Sequence, residues 1–249
     1  MSAALEGRRV LLTRSREDNR AWSEELFARG LAPLELACLT AATRPEAAEE
    51  LARELPSCDW LVLPSRRAVQ ALKELHPAGL PPAVRVACVG PSTAVEAQLA
   101  FGRAEKLAPH GTGHSLGVEL AASLPRSARV LVAGALEGRV DVEDVLRPAG
   151  IDVRRVAVYR TLPAPRAAAL LRLDDLALDA VFLASPSAVR GLLNQALPPR
   201  RAAIVTLGPS TSEAARAAGL AVHAEAQSRD LDGLLAALQQ HLASTRSSA

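Results

Sequence analysis

"VACVGPSTAVEAQLAFG" (Val86–Gly102) and "AIVTLGPSTSEAARAAGL" (Ala203–Leu220) put the same device into one chain twice. In each, a short apolar run rich in β-branched residues (Val86–Val89, Ile204–Leu207) reads as a buried strand. The segments Thr93–Ala100 and Ser212–Ala218 that follow have helix-forming composition. Gly90 and Gly208 permit a tight turn between the two, and Pro91 and Pro209 stiffen it. The hydroxyl of Ser92 or Thr93, and of Ser210 or Thr211, is expected to cap the helix. A strand that delivers a helix N-terminus to the carboxyl edge of a sheet is the usual place where α/β proteins bind anions. Two copies imply two such edges.

Working outward, the repetition covers nearly the whole chain. "RRVLLTR" (Arg8–Arg14) matches "ARVLVAG" (Ala128–Gly134), and "LAPLELACLT" after Gly30 matches "IDVRRVAVYRT" after Gly150. "DWLVLPSRRAV" (Asp59–Val69) matches "DAVFLASPSAV" (Asp179–Val189), and "HSLGVEL" (His114–Leu120) matches "RDLDGLL" (Arg229–Leu235). One unit has been duplicated. Each copy alternates strands with helices, which predicts right-handed crossovers and a parallel sheet covered on both faces. Prolines in "HPAGLPPA" (His76–Ala83) and "TLPAPRAAA" (Thr161–Ala169) mark linkers.

Composition narrows the function. A chain of 249 residues, 49% hydrophobic and 22% charged, has the make-up of a soluble globular protein with room for two domains. No run reaches the length needed to span a bilayer, and "MSAALEGRRVLLTR" lacks the pattern of a secretory leader, so a cytoplasmic location is expected. Cys38, Cys58 and Cys88 form no CxxC pair and read as buried small hydrophobes, not disulfide or zinc ligands. A formal charge of +2 and 2% aromatic residues give neither the basic stripe nor the stacking platform of a nucleic-acid binder. All but Lys73 and Lys106 of the 29 basic residues are arginine, whose fork suits carboxylates and phosphates, although a GC-rich coding bias gives the same ratio.

Several motifs fail on inspection. In "HGTGH" the glycines at 111 and 113 argue for a turn over a metal-binding helix, and no GxGxxG forms there. Asp141, Glu143 and Asp144 read as acids in the first turn of a helix, not as a metal site. What remains is the set of residues just after the buried strands, namely Thr13, Arg14, Ser65, Arg66, Ser92, Thr93, Gly134 to Arg139, Ser185 to Ser187, Ser210 and Thr211. That rim is rich in hydroxyls and arginine. Each hydroxyl has a plain competing reading as a helix cap, and Tyr159, the sole tyrosine, has one as packing with its hydroxyl at the strand edge.

"VAVYRT" (Val156–Thr161), "LASPSAV" (Leu183–Val189), "LGPSTSEAARAAGL" (Leu207–Leu220) and the opening "VLLTR" (Val10–Arg14) together resemble the uroporphyrinogen-III synthases, in the right order along the chain. The resemblance implies an α/β fold of two flavodoxin-like domains with parallel sheets beside a cleft, joined by a two-stranded linker. Residues 1–36 with 162–249 would form one domain and residues 39–159 the other. It implies a cyclising lyase of haem biosynthesis that needs no cofactor or metal. Such an enzyme closes hydroxymethylbilane, a linear tetrapyrrole polycarboxylate, to uroporphyrinogen III with loss of water and inversion of ring D. It also implies a monomer with no nucleic-acid or membrane partner. Matched residue by residue, Arg14, Ser65, Arg139, Ser185, Ser187, Ser210 and Thr211 bind substrate and Tyr159 donates a proton to the leaving hydroxyl. Two rivals share the expected architecture. A two-domain ligand-binding sensor calls for secretion or a DNA-binding appendage, and a sugar-nucleotide transferase calls for a metal or nucleotide signature.

Overall fold

The computed structural model describes residues 5–246. In chain order the elements are β1 (Arg9–Leu12), α1 (Arg16–Ala28), β2 (Ala32–Glu35), β3 (Leu39–Thr43), α2 (Ala48–Glu54), β4 (Trp60–Leu63), α3 (Arg66–Leu75), β5 (Arg85–Cys88), α4 (Pro91–Phe101), β6 (Lys106–Leu107) and α5 (Gly113–Ser123). The second half continues with β7 (Arg129–Ala135), α6 (Glu143–Leu146), β8 (Asp152–Pro163), β9 (Leu171–Arg172), β10 (Ala180–Leu183), α7 (Pro186–Gln195), β11 (Ala196–Leu197), β12 (Ala203–Thr206), α8 (Pro209–Ala217), β13 (Ala224–Glu225) and α9 (Leu231–Arg246). The chain forms two compact units, Met1–Thr40 with Leu162–Ala249, and Ala41–Thr161.

In the first unit a parallel sheet runs β13-β12-β10-β1-β2. Counted along this unit's own strands, that is the flavodoxin-like order, with its switch point between β1 and β10. The three central strands are "RVLL", "AVFL" and "AIVT", almost wholly buried because helices cover both faces. Alternation divides their side chains. Val10, Leu12, Phe182 and Val205 pack with Leu26 of α1 and Leu234 and Leu238 of α9, while Leu11, Val181, Leu183 and Ile204 pack with Leu192 of α7 and Ala215 of α8.

In the second unit the sheet runs β3-β8-β7-β4-β5-β6. Starting the count at β7 gives the flavodoxin-like order again, with the switch point between β7 and β4, which pair in parallel. Leu61, Leu63, Val86, Leu131 and Val156 join Leu51 of α2 and Leu72 of α3 on one face; Val62, Val130 and Val132 join Leu116 of α5 and Leu146 of α6 on the other.

The duplicated sequences have therefore exchanged halves. Asp179 accepts the Arg9 amide at 2.8 Å, and its counterpart Asp59 accepts the Arg129 amide at the same 2.8 Å, each aspartate reaching into the other copy. Both passages of the chain from one unit to the other lie within β3 and β8, which are neighbours in the second sheet.

Three local expectations need correction. The caps of α4 and α8 are Gly90 and Gly208, with no side-chain cap, because Pro91 and Pro209 occupy the first helical position where their rigid φ starts the helix early. Ser92, Thr93, Ser210 and Thr211 thus stand inside the helices. Around "HGTGH" the chain turns only as far as Thr112, which caps α5 through the Ser115 amide at 3.1 Å. Gly113 and Gly117 belong to α5, where a Cβ on Gly117 would lie 2.9 Å from Val145, so glycine is what admits the α6 segment. Finally, β8 takes in the first three residues of the expected linker Thr161–Ala169, which is irregular only from Ala164.

Candidate functional site

At the switch point of the first unit, Thr13 follows β1 fully buried, donating its hydroxyl to the Phe182 carbonyl at 2.6 Å. Arg14 follows. Its guanidinium lies 4.3 Å from the centre of the Trp22 ring and 3.9 Å from Asp18, so the cation is oriented by stacking as well as charge. The backbone beneath it is held by Asn19, wholly buried, whose Oδ1 accepts the Arg14 amide at 2.8 Å and whose Nδ2 donates to the Leu36 carbonyl at 3.1 Å. Ser185, after β10, caps α7 by accepting the Ala188 amide at 3.1 Å, which leaves its O–H available as a donor. Ser187 accepts from Arg190 at 3.1 Å.

After β12, Ser210 is exposed but Thr211 is 3% exposed and turned into the unit. The Thr211 and Ser212 amides both return to the Gly208 carbonyl at 3.0 Å, and proline supplies no N–H, so the outward backbone donor here is the amide of Ser210. Ser212, fully buried, bonds Thr206 at 2.7 Å and donates to Glu225, a polar chain that Ala94, Cys88 and Leu107 replace in the second unit.

At the switch point of the second unit, Ser65 follows β4 and caps α3, accepting the Ala68 amide at 3.3 Å. Its Oγ is also 3.2 Å from the hydroxyl of Tyr159. This phenol is not at an edge. Tyr159 is 7% exposed and packs in the same cluster as Val156 and Val158. Strict alternation sends it to the opposite face, but the register between β7 and β8 slips at Gly134/Ala135, so Ala135 faces Tyr159 and skips Val158. Such a bulge re-aims the side chain that follows. Arg139, in the loop after β7, is 86% exposed along its side chain and pairs with Asp141 at 2.8 Å.

The eight sequence-expected residues thus divide. Arg14, Ser185, Ser187, Ser210 and Thr211 belong to the first unit, and Ser65, Arg139 and Tyr159 to the second, with Ser65 and Tyr159 in contact. Sequence reasoning missed Asn19 and the Glu143–Arg155 pair. The usable signal for the latter was an arginine on the inward side of an alternating strand. Among the described residues no cluster of three or more His, Cys, Asp or Glu is placed to hold a metal, and no helix is long and apolar enough to cross a membrane. A hollow of about 730 Å³ lined by Glu50, Arg126, Arg147, Arg154 and Arg155 opens at the amino end of β8.

Two parallel sheets of flavodoxin-like order, one in each compact unit, define a two-unit α/β protein. The chain belongs to the uroporphyrinogen-III synthase family, whose model matches residues 20–236. The chloroplastic uroporphyrinogen-III synthase of Oryza sativa subsp. japonica is 27% identical over 246 residues, covering 93% of this chain and 81% of that protein. The crystal structure of uroporphyrinogen-III synthetase from Helicobacter pylori 26695, 16% identical, matches with a TM-score of 0.52 over 92% of this chain and 97% of that one. A mutant uroporphyrinogen III synthase from the extremely thermophilic bacterium Thermus thermophilus, 21% identical, gives a TM-score of 0.49 over 96% of this chain and 100% of that one. The activity is that of a cyclising hydro-lyase of haem biosynthesis, which closes hydroxymethylbilane to uroporphyrinogen III with loss of water and inversion of ring D.

Proposed function

We propose that this chain carries out the closure chiefly by positioning, as a cytoplasmic monomer in which residues 1–36 with 162–249 and residues 39–159 act as its two domains. Arg14, Ser185, Ser187 and Ser210 of the first unit and Ser65 and Arg139 of the second are the groups that meet substrate carboxylates, each charged hydrogen bond contributing ~1.5–3 kcal/mol. Thr211, being buried, shapes the turn that presents Ser210. Departure of the ring A hydroxyl leaves an azafulvenium cation, and Tyr159 is the O–H donor that assists it. The difficult step is attack through the substituted carbon of ring D, giving a spiro intermediate, while free substrate closes without inversion. Holding the chain ends in the one productive arrangement is therefore the main catalytic contribution.

The observation that carries this reading is the contact between the Tyr159 hydroxyl and Ser65 Oγ at 3.2 Å, which supports an oriented phenol beside the switch point of the second unit. Incubating the protein with freshly made hydroxymethylbilane and separating isomers I and III by chromatography tests it. Isomer III is expected in excess. Isomer I alone, at the spontaneous rate, overturns the reading.

A further inference from the structure

The loop between β7 and α6 is tied to β8 at successive points. The Leu136 amide donates to the Tyr159 carbonyl at 2.8 Å, the Thr161 amide donates to the Glu137 carboxylate at 3.3 Å, and Arg155 Nη2 donates to the Arg139 carbonyl at 2.6 Å. Arg155 also reaches the Ala135 carbonyl at 3.4 Å through Nη1 and pairs through Nε with Glu143. Glu143 is wholly buried and its Oε2 has no hydrogen-bond partner, while the Arg155 side chain is 18% exposed. A buried pair with an unsatisfied oxygen is a poor way to gain stability. Its geometry instead serves the loop, since Cβ atoms on Gly134 and Gly138 would each come within 3.0 Å of Arg155 Nη1, and glycine at both places leaves the guanidinium its seat. What the loop then presents is two apolar side chains flanking a cation. Leu136 is 51% and Val140 42% exposed, on either side of Arg139.

Resting on the function proposed above, we infer that residues 136–142 form a substrate-gripping loop in which Leu136 and Val140 meet the apolar faces of pyrrole rings and Arg139 meets a carboxylate, with Arg155 and Glu143 as the positioning residues that hold it. A tetrapyrrole offers that combination, flat apolar rings edged by acids.

The test separates holding from folding. Replacing the pair together, Glu143→Leu with Arg155→Met, leaves no unpaired buried charge and is expected to preserve the melting temperature closely. Hydrogen exchange at the Leu136 and Gly138 amides, which donate to the Tyr159 and Ala135 carbonyls, then accelerates by about tenfold or more, KM for hydroxymethylbilane rises about tenfold, and kcat changes by less than about threefold. Arg155→Lys, which can still meet Glu143 but cannot serve both carbonyls, gives the same signature. Adding Arg139→Ala to either variant produces little further loss, because the arginine is already misplaced. Leu136→Ser with Val140→Ser, both on the surface, raises KM without moving the melting temperature. Unchanged exchange at the Leu136 and Gly138 amides, additive losses with Arg139→Ala, or a wild-type KM in the Leu136/Val140 variant overturns the inference. Exchange is read without substrate, so it decides the anchoring even if the wild-type protein makes no isomer III, the result that would instead defeat the functional reading.

Discussion

Replacing Tyr159 by phenylalanine removes one oxygen from a ring that otherwise stays packed against Val156 and Val158, which makes it the cleanest perturbation of the proposed chemistry. The hydroxyl has one described partner, Ser65 Oγ at 3.2 Å, and a neutral hydrogen bond of that kind contributes ~0.5–1.5 kcal/mol. Ser65 keeps the Ala68 amide at 3.3 Å, so the serine is not left unsatisfied and the lower half of that range applies. For a chain of 249 residues this corresponds to a fall in melting temperature of roughly 1–4 °C. General acid assistance is typically worth ~10²–10⁴-fold, but the hydroxyl of hydroxymethylbilane leaves readily, so a loss of about tenfold or somewhat more in isomer III formation is expected. Initial rates and both isomers are to be followed by chromatography on the preparation used for melting. The isomer I background is expected to gain share as the enzymatic route slows. A variant that loses a few degrees yet makes isomer III at the wild-type rate refutes the proton-donor role and leaves Tyr159 as packing.

Gly191→Ala is expected to cost more than about 3 kcal/mol, read by denaturant unfolding, because the new Cβ would stand 1.8 Å from the Cys38 carbonyl oxygen and 2.7 Å from its carbon; a loss below about 1 kcal/mol contradicts that closeness. The three thiols are buried, and burial pushes Cys38 and Cys88 up to about 12 and Cys58 up to about 11, so a disulfide reagent at pH 8 should titrate none of them until the protein is unfolded. Burial, with the neighbouring His241 second, holds His223 below the ordinary histidine value, and its Nδ1 accepts the Ile204 amide at 3.0 Å, which an imidazolium cannot do. Its contribution is therefore full above pH ~6.5 and is lost as the pH falls below that toward the depressed value, so melting should decline modestly there. In His223→Asn, whose Oδ1 can accept the same amide, this part of the decline should be missing; an identical pH profile counts against the assignment.

Much of the architecture is written in repeated residues. The matching of Arg8–Arg14 with Ala128–Gly134 and of Asp59–Val69 with Asp179–Val189 marks the central strands of both sheets, because fully buried parallel strands need continuous apolar runs. The exchange of halves is not written there. Asp59 would serve the Arg9 amide as well as it serves that of Arg129, and only the finished fold tells them apart. At the site, Ser65 and Ser185 are visible as caps after strands, whereas the burial of Tyr159 depends on a register slip at Gly134/Ala135 that no side-chain pattern announces. Thr211 looks equivalent to Ser210 until Pro209 opens the helix one turn position early and rotates it inward. Glu143 resembles any first-turn acid, and its meaning emerges only where Arg155 crosses beneath the loop.

The insertion of residues 41–161 within the first unit also sets a schedule for the growing polypeptide. All the strands of the second sheet have been synthesised once β8 leaves the ribosome, so that unit can assemble while translation continues. The opening strand has no such option. Val10, Leu11 and Leu12 wait for Ala180, Val181 and Phe182, and at ~5–20 residues per second that delay is on the order of ten to thirty seconds. Throughout it, an apolar segment meant for the centre of a sheet is without its β10 neighbour. This first sheet is completed last, by the arrival of β10, β12 and β13, and a chain truncated before Ala180 keeps every strand of the second sheet but lacks the neighbour that β1 needs.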